Sequence, residues 1–148
     1  MNKSDTLKIL LDVKNRHLEQ MVKIDALVSG KNIENPTPIS KMDCEFGSIF
    51  YGQKDDFFHL LGAQFYERID KLHEQWHVEY IRIYNIFFLE KREGLLSKFL
   101  GAKKINSLDY DKAKLYFVEL KSITGELLRL LDASLRRIEA LSDSKFKS

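Results

Sequence analysis

The sequence predicts an all-α protein folded as an antiparallel bundle of the four-helix type, with three long helices and one short helix that carries a cysteine. Apolar residues recur at steps of three and four over long stretches, which is the period of one face of an α-helix. No stretch has the clear alternation of apolar and polar residues that is typical of strands. The chain has 148 residues, so we expect a single domain covering residues 1–148.

The first long helix is predicted to begin at Ser4 or Asp5, which can cap it, and to end near Ser29, just before Gly30. Its inward stripe contains Leu7, Leu10, His17, Met21, Ile24 and Val28. His17 is therefore expected on the face that packs against the rest of the protein.

The short helix is predicted after a loop rich in Asn and Pro, over residues 31–40. Ser40, followed three residues later by Asp43, resembles a capping box with Asp in place of Glu. This places Cys44 in the first turn, where unpaired N–H groups and the helix dipole favour a thiolate.

The second long helix is predicted to open at Asp55 or Asp56. Its apolar stripe consists of Phe58, Leu61, Phe65, Ile69, Leu72, Trp76, Tyr80, Ile83 and Phe87. His73 and His77 each follow a stripe residue directly, so they flank the buried seam and can reach a neighbouring helix.

The last long helix is predicted from near Ser107 to about Asp143. Its seam contains Leu120, Thr124, Leu127, Leu131, Ser134, Ile138 and Leu141. The long seams of the last two helices predict more apolar surface than one chain can cover, and hence a symmetric homodimer. The weaker segment 94–107 is interpreted as packing against the bundle end or a second subunit, with a membrane-surface helix as the alternative.

Composition excludes several classes of protein. The formal net charge is only +2 and lysines alternate with acidic residues, so binding to nucleic acid is not expected. No apolar run approaches the roughly 20 residues that span a bilayer, and no signal-peptide cleavage site is evident, so a cytoplasmic location is expected. A single cysteine excludes an intrachain disulfide.

The scarce histidines and the single cysteine predict a metal site between helices. His73 and His77 are four residues apart, so both imidazoles project from one face of a helix. Cys44 would add a thiolate and His17 a third imidazole, and three nitrogens with one sulfur indicate zinc. His59 lies 14 residues before His73, roughly 21 Å along one helix, which is too far for the same site.

Two carboxylates are candidate hydrogen-bond partners of the ligand histidines. Imidazoles that bind a metal usually donate their second N–H to a carboxylate or a carbonyl group. Asp70 and Asp43 lie near the proposed ligands in sequence and are the candidates for this role.

Two other interpretations remain open. The sequence His73-Glu74-x-x-His77 is also the short motif of zinc peptidases, in which Glu74 would act as the general base. A hydrolytic zinc keeps one position open for water, whereas adding the other two candidates closes the site. No histidine follows His77, and Glu90 or Glu93 would lie roughly 20 Å along the helix. We therefore expect no enzyme, and the remaining alternative is a zinc-free helical adaptor for a signalling protein.

The chain resembles the bacterial chemoreceptor zinc-binding domain. The matching pieces are His17 in RHLEQM, Cys44 in CEFGSIFYG, and His73 and His77 in KLHEQWH, in the family's order and approximate spacing. Two positions depart from it, because Gln20 and Ile49 stand where the family usually has tryptophan.

The resemblance implies a zinc site made of three histidines and one cysteine in a cytoplasmic sensor of zinc or of oxidants such as hypochlorous acid. Family members are usually fused to chemoreceptor modules or to a diguanylate cyclase, and several form dimers. It therefore implies a stand-alone regulatory module that passes its response to a chemotaxis or cyclic-di-GMP signalling protein, or to its own dimer.

Overall fold

A computed structural model describes residues 1–89 and 105–147, and within these ranges all regular structure is helical. The helices are α1 (Lys3–Val28), α2 (Glu45–Gly52), α3 (Lys54–Leu61), α4 (Ala63–Tyr84) and α5 (Ser107–Ala140). A π-helical turn, Asn85–Leu89, follows α4, and a 3-10 turn, Asp143–Lys145, follows α5. The predicted all-α class is confirmed.

Some predicted features lie outside the described residues. These are Glu90, Glu93 and residues 94–104, which form most of the segment interpreted as an end-packing or membrane-surface helix. Within the described part of the chain, no helix combines the length and the apolar character that crossing a bilayer requires.

The long helices α1 and α4 both run antiparallel to α5. Along α1, Lys3 contacts the carbonyl of Leu141 at 2.8 Å and Lys14 contacts Asp132 at 2.7 Å. Residue numbers therefore rise along α1 as they fall along α5. On α4 the same order holds, because Phe65 lies under the guanidinium of Arg137 and Arg82 lies over the ring of Tyr116. The short helix α2 lies against both α1 and α4, through the Arg16–Glu45 and Phe46–His73 contacts.

The buried side chains form two core clusters. The first includes Phe46, Phe50, Phe57, Tyr66 and Leu127, and the second includes Ile24, Trp76, Tyr80, Ile83 and Phe117. Along α1, α4 and α5 the boundary between them falls at His17, His73 and Thr124, all of which are buried. The candidate ligands therefore lie where the two apolar clusters meet.

The caps of the first two helices differ from the prediction. Asn2 caps α1, because its side chain accepts a hydrogen bond from the Asp5 N–H at 2.8 Å. The capping box at Ser40 is wrong, since the Ser40 hydroxyl instead accepts a hydrogen bond from the Met42 N–H at 3.2 Å, before α2 begins. Cys44 is itself the N-cap of α2 rather than a residue of its first turn.

The predicted second long helix is two helices, and Gly62 separates them. Its φ of 85° and ψ of 156° lie in a region that only glycine adopts readily, so α3 ends at Leu61 and α4 starts afresh. The break rotates α3, leaving Phe58 42% exposed and burying Phe57 instead. His59 consequently lies on α3, exposed to solvent, and not on the helix that carries His73.

The last helix begins at the predicted residue. Asn106 and Asp109 form a capping box at Ser107, and the helix ends at Ala140, three residues before the predicted end. Of its predicted seam, every member is buried except Leu141, which is half-buried. The seam of the last helix therefore packs within one chain. It does not supply the uncovered apolar surface from which a homodimer was predicted.

Two glycine-to-alanine substitutions are expected to change stability in opposite directions. Gly62→Ala should lower the free energy of unfolding by about 1–3 kcal/mol, because alanine is strained at the positive φ of residue 62. Gly125→Ala should raise it by about 0.5–1 kcal/mol, since a Cβ there meets nothing within 4 Å in the middle of a helix. Urea unfolding of both variants measures the two effects, and equal shifts would contradict the role of Gly62.

Candidate metal centre

Three of the four predicted ligands meet in the interior. Cys44, His73 and His77 each offer one ligand atom, and these atoms lie within 4.8 Å of one another. Their exposed fractions are 3%, 0% and 4%. Cys44 Sγ lies 3.3 Å from His73 Nε2. Two such donors on one tetrahedral zinc would be about 3.5 Å apart, given bonds of about 2.3 Å to sulfur and about 2.0 Å to nitrogen.

The turn before α2 holds the sulfur of Cys44. Its Sγ accepts a hydrogen bond from the Gly47 N–H at 3.2 Å and lies 3.5 Å from the carbonyl oxygen of Lys41. A Cβ at Gly47 would stand 1.7 Å from that carbonyl oxygen. The glycine of the Cys-x-x-Gly sequence is therefore required so that the turn can close around the sulfur.

A chain of hydrogen bonds sets the tautomer of His73. The Tyr51 hydroxyl donates to Asp70 at 2.6 Å, and Lys41 Nζ donates to the same carboxylate oxygen at 2.9 Å. Tyr51 has thereby used its only hydrogen, so its oxygen accepts from His73 Nδ1–H at 3.2 Å. The Nε2 lone pair of His73 is left directed at Cys44 Sγ. Asp70 thus acts one step further away than predicted, through Tyr51.

The backbone sets the tautomer of His77. Its Nδ1–H donates to the carbonyl oxygen of Ile39 at 2.9 Å. Its Nε2 is buried and has no hydrogen-bond partner among the described residues, a property it shares there only with the Tyr66 hydroxyl. Leaving such an atom unpaired costs about 1–3 kcal/mol. Asp43, which was predicted as an acceptor for a ligand imidazole, is exposed to solvent. The Ile39 carbonyl group accepts from His77 in its place.

His17 borders the cluster without joining it. The ring is 2% exposed and its Nε2 lies 3.1 Å from Thr124 Oγ1 on α5. Trp76 Nε1 donates to the same oxygen at 3.0 Å, and its ring packs edge-on against that of His17, with centroids 5.0 Å apart. The structure therefore brings together three predicted ligands and directs Nε2 of the fourth toward a threonine.

Burial determines the charge of these groups. It lowers the pKa of His73 to about 2 and the pKa of His17 and of His77 to about 4, so all three imidazoles are neutral and able to bind a metal. Burial also raises the pKa of the Cys44 thiol, more than the Gly47 N–H lowers it. The predicted thiolate at the helix start is therefore not favoured by the protein alone, and a bound cation would have to deprotonate it.

Tyr51 and Thr124 were missed by the sequence reasoning as partners of the site. Thr124 had one usable indication, since a hydroxyl in a mostly aliphatic seam requires a buried partner. Tyr51 had none, because only the fold brings its hydroxyl between Asp70 and His73. Glu74, the candidate base, has a side chain that is 61% exposed and lies 3.9 Å from Lys41 Nζ.

The donor set fits a borderline-soft divalent cation. A thiol and two imidazoles with bare nitrogens suit zinc, whereas calcium and magnesium need oxygen ligands. Comparison of the chain with protein-family models, with curated proteins and with solved structures found no match.

The metal-free protein is expected to lose stability as the pH falls from about 6.5 towards 4. The pKa values of the buried histidines lie below the usual 6.5, so the unfolded chain takes up protons that the folded chain does not. Three such groups give a slope of up to about 4 kcal/mol per pH unit. Urea unfolding at a series of pH values with a chelator present tests this. His77→Gln should reduce the slope by roughly a third, and a flat profile would contradict the argument.

Proposed function

We propose that this chain is a non-catalytic zinc-binding regulatory domain, with zinc held by Cys44, His73 and His77 and completed by His17. The observation that carries the proposal is the buried Nε2 of His77, which has no partner among the described residues although its Nδ1 is fastened to a carbonyl group. A histidine that binds a metal has this pattern, with one nitrogen anchored and the other free.

The hydrogen bonds around His73 support the same proposal. Its Nδ1–H is used by Tyr51, so the nitrogen that remains is the one next to Cys44 Sγ. When bound, zinc would supply the positive charge that deprotonates the thiol and would satisfy the otherwise unpaired nitrogen. Asp70 and Lys41 would orient the ring through Tyr51.

The peptidase alternative is less well supported. A general base has to reach a water molecule on the metal, but Glu74 is mostly exposed and lies beside Lys41 on the outer side of α4. The three clustered ligands are also almost fully buried, which leaves a substrate little access. A zinc-free adaptor remains the alternative that a metal analysis can decide.

The resemblance to the chemoreceptor zinc-binding domain supplies the regulatory part of the proposal. We propose a cytoplasmic sensor built as a bundle of the four-helix type, which responds to zinc or to an oxidant and acts on a chemotaxis or cyclic-di-GMP signalling protein. A homodimer belongs to the same proposal. The apolar residues that favour it lie on the outer faces of α1 and α5: Leu11, Leu18, Val22, Leu108, Leu115 and Val118.

The segment 37–44 would couple the metal to the rest of the protein. It has no helix, yet its carbonyl groups at Thr37 and Ile39 accept hydrogen bonds from Tyr80 and His77 of α4. Its far end carries Cys44, whose sulfur contacts His73 of the same helix. Breaking the bond between sulfur and metal would therefore free one end of the segment while the other stays attached.

Removal of a ligand is expected to abolish tight zinc binding. Protein purified without an affinity tag should contain one zinc per chain, and Cys44→Ser or His77→Ala should lower the affinity at least tenfold because water replaces a protein ligand. His59→Ala is the matched control, since His59 is exposed on α3, and it should bind zinc like the wild type. Metal analysis and chelator competition measure both. Zinc content unchanged in the two ligand variants would refute the proposed site, and no zinc in the wild type would favour the adaptor.

Oxidation is expected to release the metal. One equivalent of hypochlorous acid should convert the Cys44 sulfur to a sulfenic acid while chlorine leaves as chloride, which removes the anionic ligand. Zinc should then be released and hydrogen exchange should increase in residues 40–52, well before the long helices respond. A chromophoric chelator and mass spectrometry follow the two events, and Cys44→Ser should show no further change. Zinc that stays bound to oxidised protein would mean that the site is only structural.

A further inference from the structure

Thr124 is a residue of α5 that contacts His17, the predicted ligand that lies outside the cluster. None of the three clustered ligands lies on α5, whereas Thr124 is 6% exposed and sits at the boundary of the two core clusters. Its hydroxyl contacts three side chains from two other helices. These are His17 Nε2 at 3.1 Å, Trp76 Nε1 at 3.0 Å and Met21 Sδ at 3.2 Å.

The hydrogen-bonding groups of this hydroxyl are shared among these three side chains. A threonine offers one hydrogen and two lone pairs, and the indole of Trp76 can only donate, so it occupies one lone pair. Because the sulfur of Met21 can only accept, the hydroxyl hydrogen points either to Met21 Sδ, in which case the second lone pair accepts from His17 Nε2–H, or to His17 Nε2. Whichever way the hydrogen points, His17 Nε2 is engaged with Thr124.

We infer that Thr124 is a positioning residue that holds His17 away from the metal centre, so that His17 Nε2 leaves Thr124 Oγ1 when it becomes the fourth ligand. This inference rests on the proposed zinc site. The ring lies close to the cluster already, since it packs against Phe46 and Trp76, which in turn contact His73 and His77. Burial keeps the pKa of His17 at about 4, so the imidazole is neutral at pH 7. It can therefore exchange Thr124 for a metal without first losing a proton.

The movement of His17 from Thr124 to the metal would change the contacts between α1 and α5. The His17–Thr124 contact joins α1 to α5 and is lost when His17 turns to the metal, whereas the Trp76–Thr124 contact joins α4 to α5 and is kept. The hydroxyl hydrogen can then point to Met21 alone. Metal occupancy would thereby change how α1 is attached to the longest helix, although that helix supplies no clustered ligand.

The test compares the zinc affinities of Thr124→Val, Thr124→Ser, His17→Ala and the double variant Thr124→Val with His17→Ala. Thr124→Val removes the competing hydroxyl, so zinc should bind roughly threefold to tenfold more tightly, which is the worth of one hydrogen bond. Thr124→Val also leaves the Trp76 N–H unpaired, but this cost is present both with and without zinc. It therefore does not change the zinc affinity of the variant. Thr124→Ser keeps the hydroxyl and should match the wild type.

The other two variants separate this inference from the zinc site itself. His17→Ala should bind zinc more than tenfold more weakly than the wild type, and adding Thr124→Val to it should give no gain. If His17→Ala binds like the wild type, the inference and the role of His17 as fourth ligand are both overturned, while the site of Cys44, His73 and His77 stands. If Thr124→Val gains nothing, the inference alone is overturned. If the wild type binds no zinc, the proposed function falls and the inference with it.

A measurement on the wild type keeps the test independent of variant folding. Cadmium-113 loaded into nitrogen-15-labelled protein should show a scalar coupling to Nε2 of His17, in addition to couplings to His73 and His77. The fluorescence of Trp76, the single tryptophan, should also change on loading, because its acceptor has lost one partner. Absence of a coupling to His17, or a coupling through Nδ1, would overturn the inference.

Discussion

The arrangement of this protein depends on one constraint, which is that each neutral imidazole buried in an apolar interior must donate a hydrogen bond from its ring N–H. His73 Nδ1–H donates to the Tyr51 oxygen, because the O–H of Tyr51 donates to Asp70, which also accepts from Lys41. His77 donates to the Ile39 carbonyl, and this contact fastens an irregular segment onto α4. Satisfying the outer nitrogens leaves the inner ones bare, so the requirements of folding prepare the site for a cation.

Much of this could be predicted from the sequence because it depends on helical spacing. Steps of three and four put His17 on the buried face of α1 and the seam residues of α5 in the core. A separation of four residues put His73 and His77 side by side. These predictions succeed because an α-helix fixes the relative directions of its side chains before any tertiary contact forms.

Other features depend on backbone conformation or on contacts between distant residues. The apolar pattern runs through Gly62 without interruption, so only the positive φ of that residue reveals two helices. The hydroxyl of Tyr51 and that of Thr124 reach the histidines across 22 and 107 residues, and no local pattern encodes such separations. The N–H groups at the start of α2 lower the pKa of the Cys44 thiol, as predicted, but burial raises this pKa by more.

The wide separation of the site residues along the chain also has a kinetic consequence. Cys44 and His73 are 29 residues apart, and His17 and Thr124 are 107 apart, so the complete centre exists only after long loops have closed. We expect contacts of such wide sequence separation to form after the transition state for folding, and a ligand that binds contacts formed after it slows unfolding and leaves the folding rate nearly unchanged. The cation would then set the lifetime of the folded protein, and losing it would shorten that lifetime without preventing the chain from folding again.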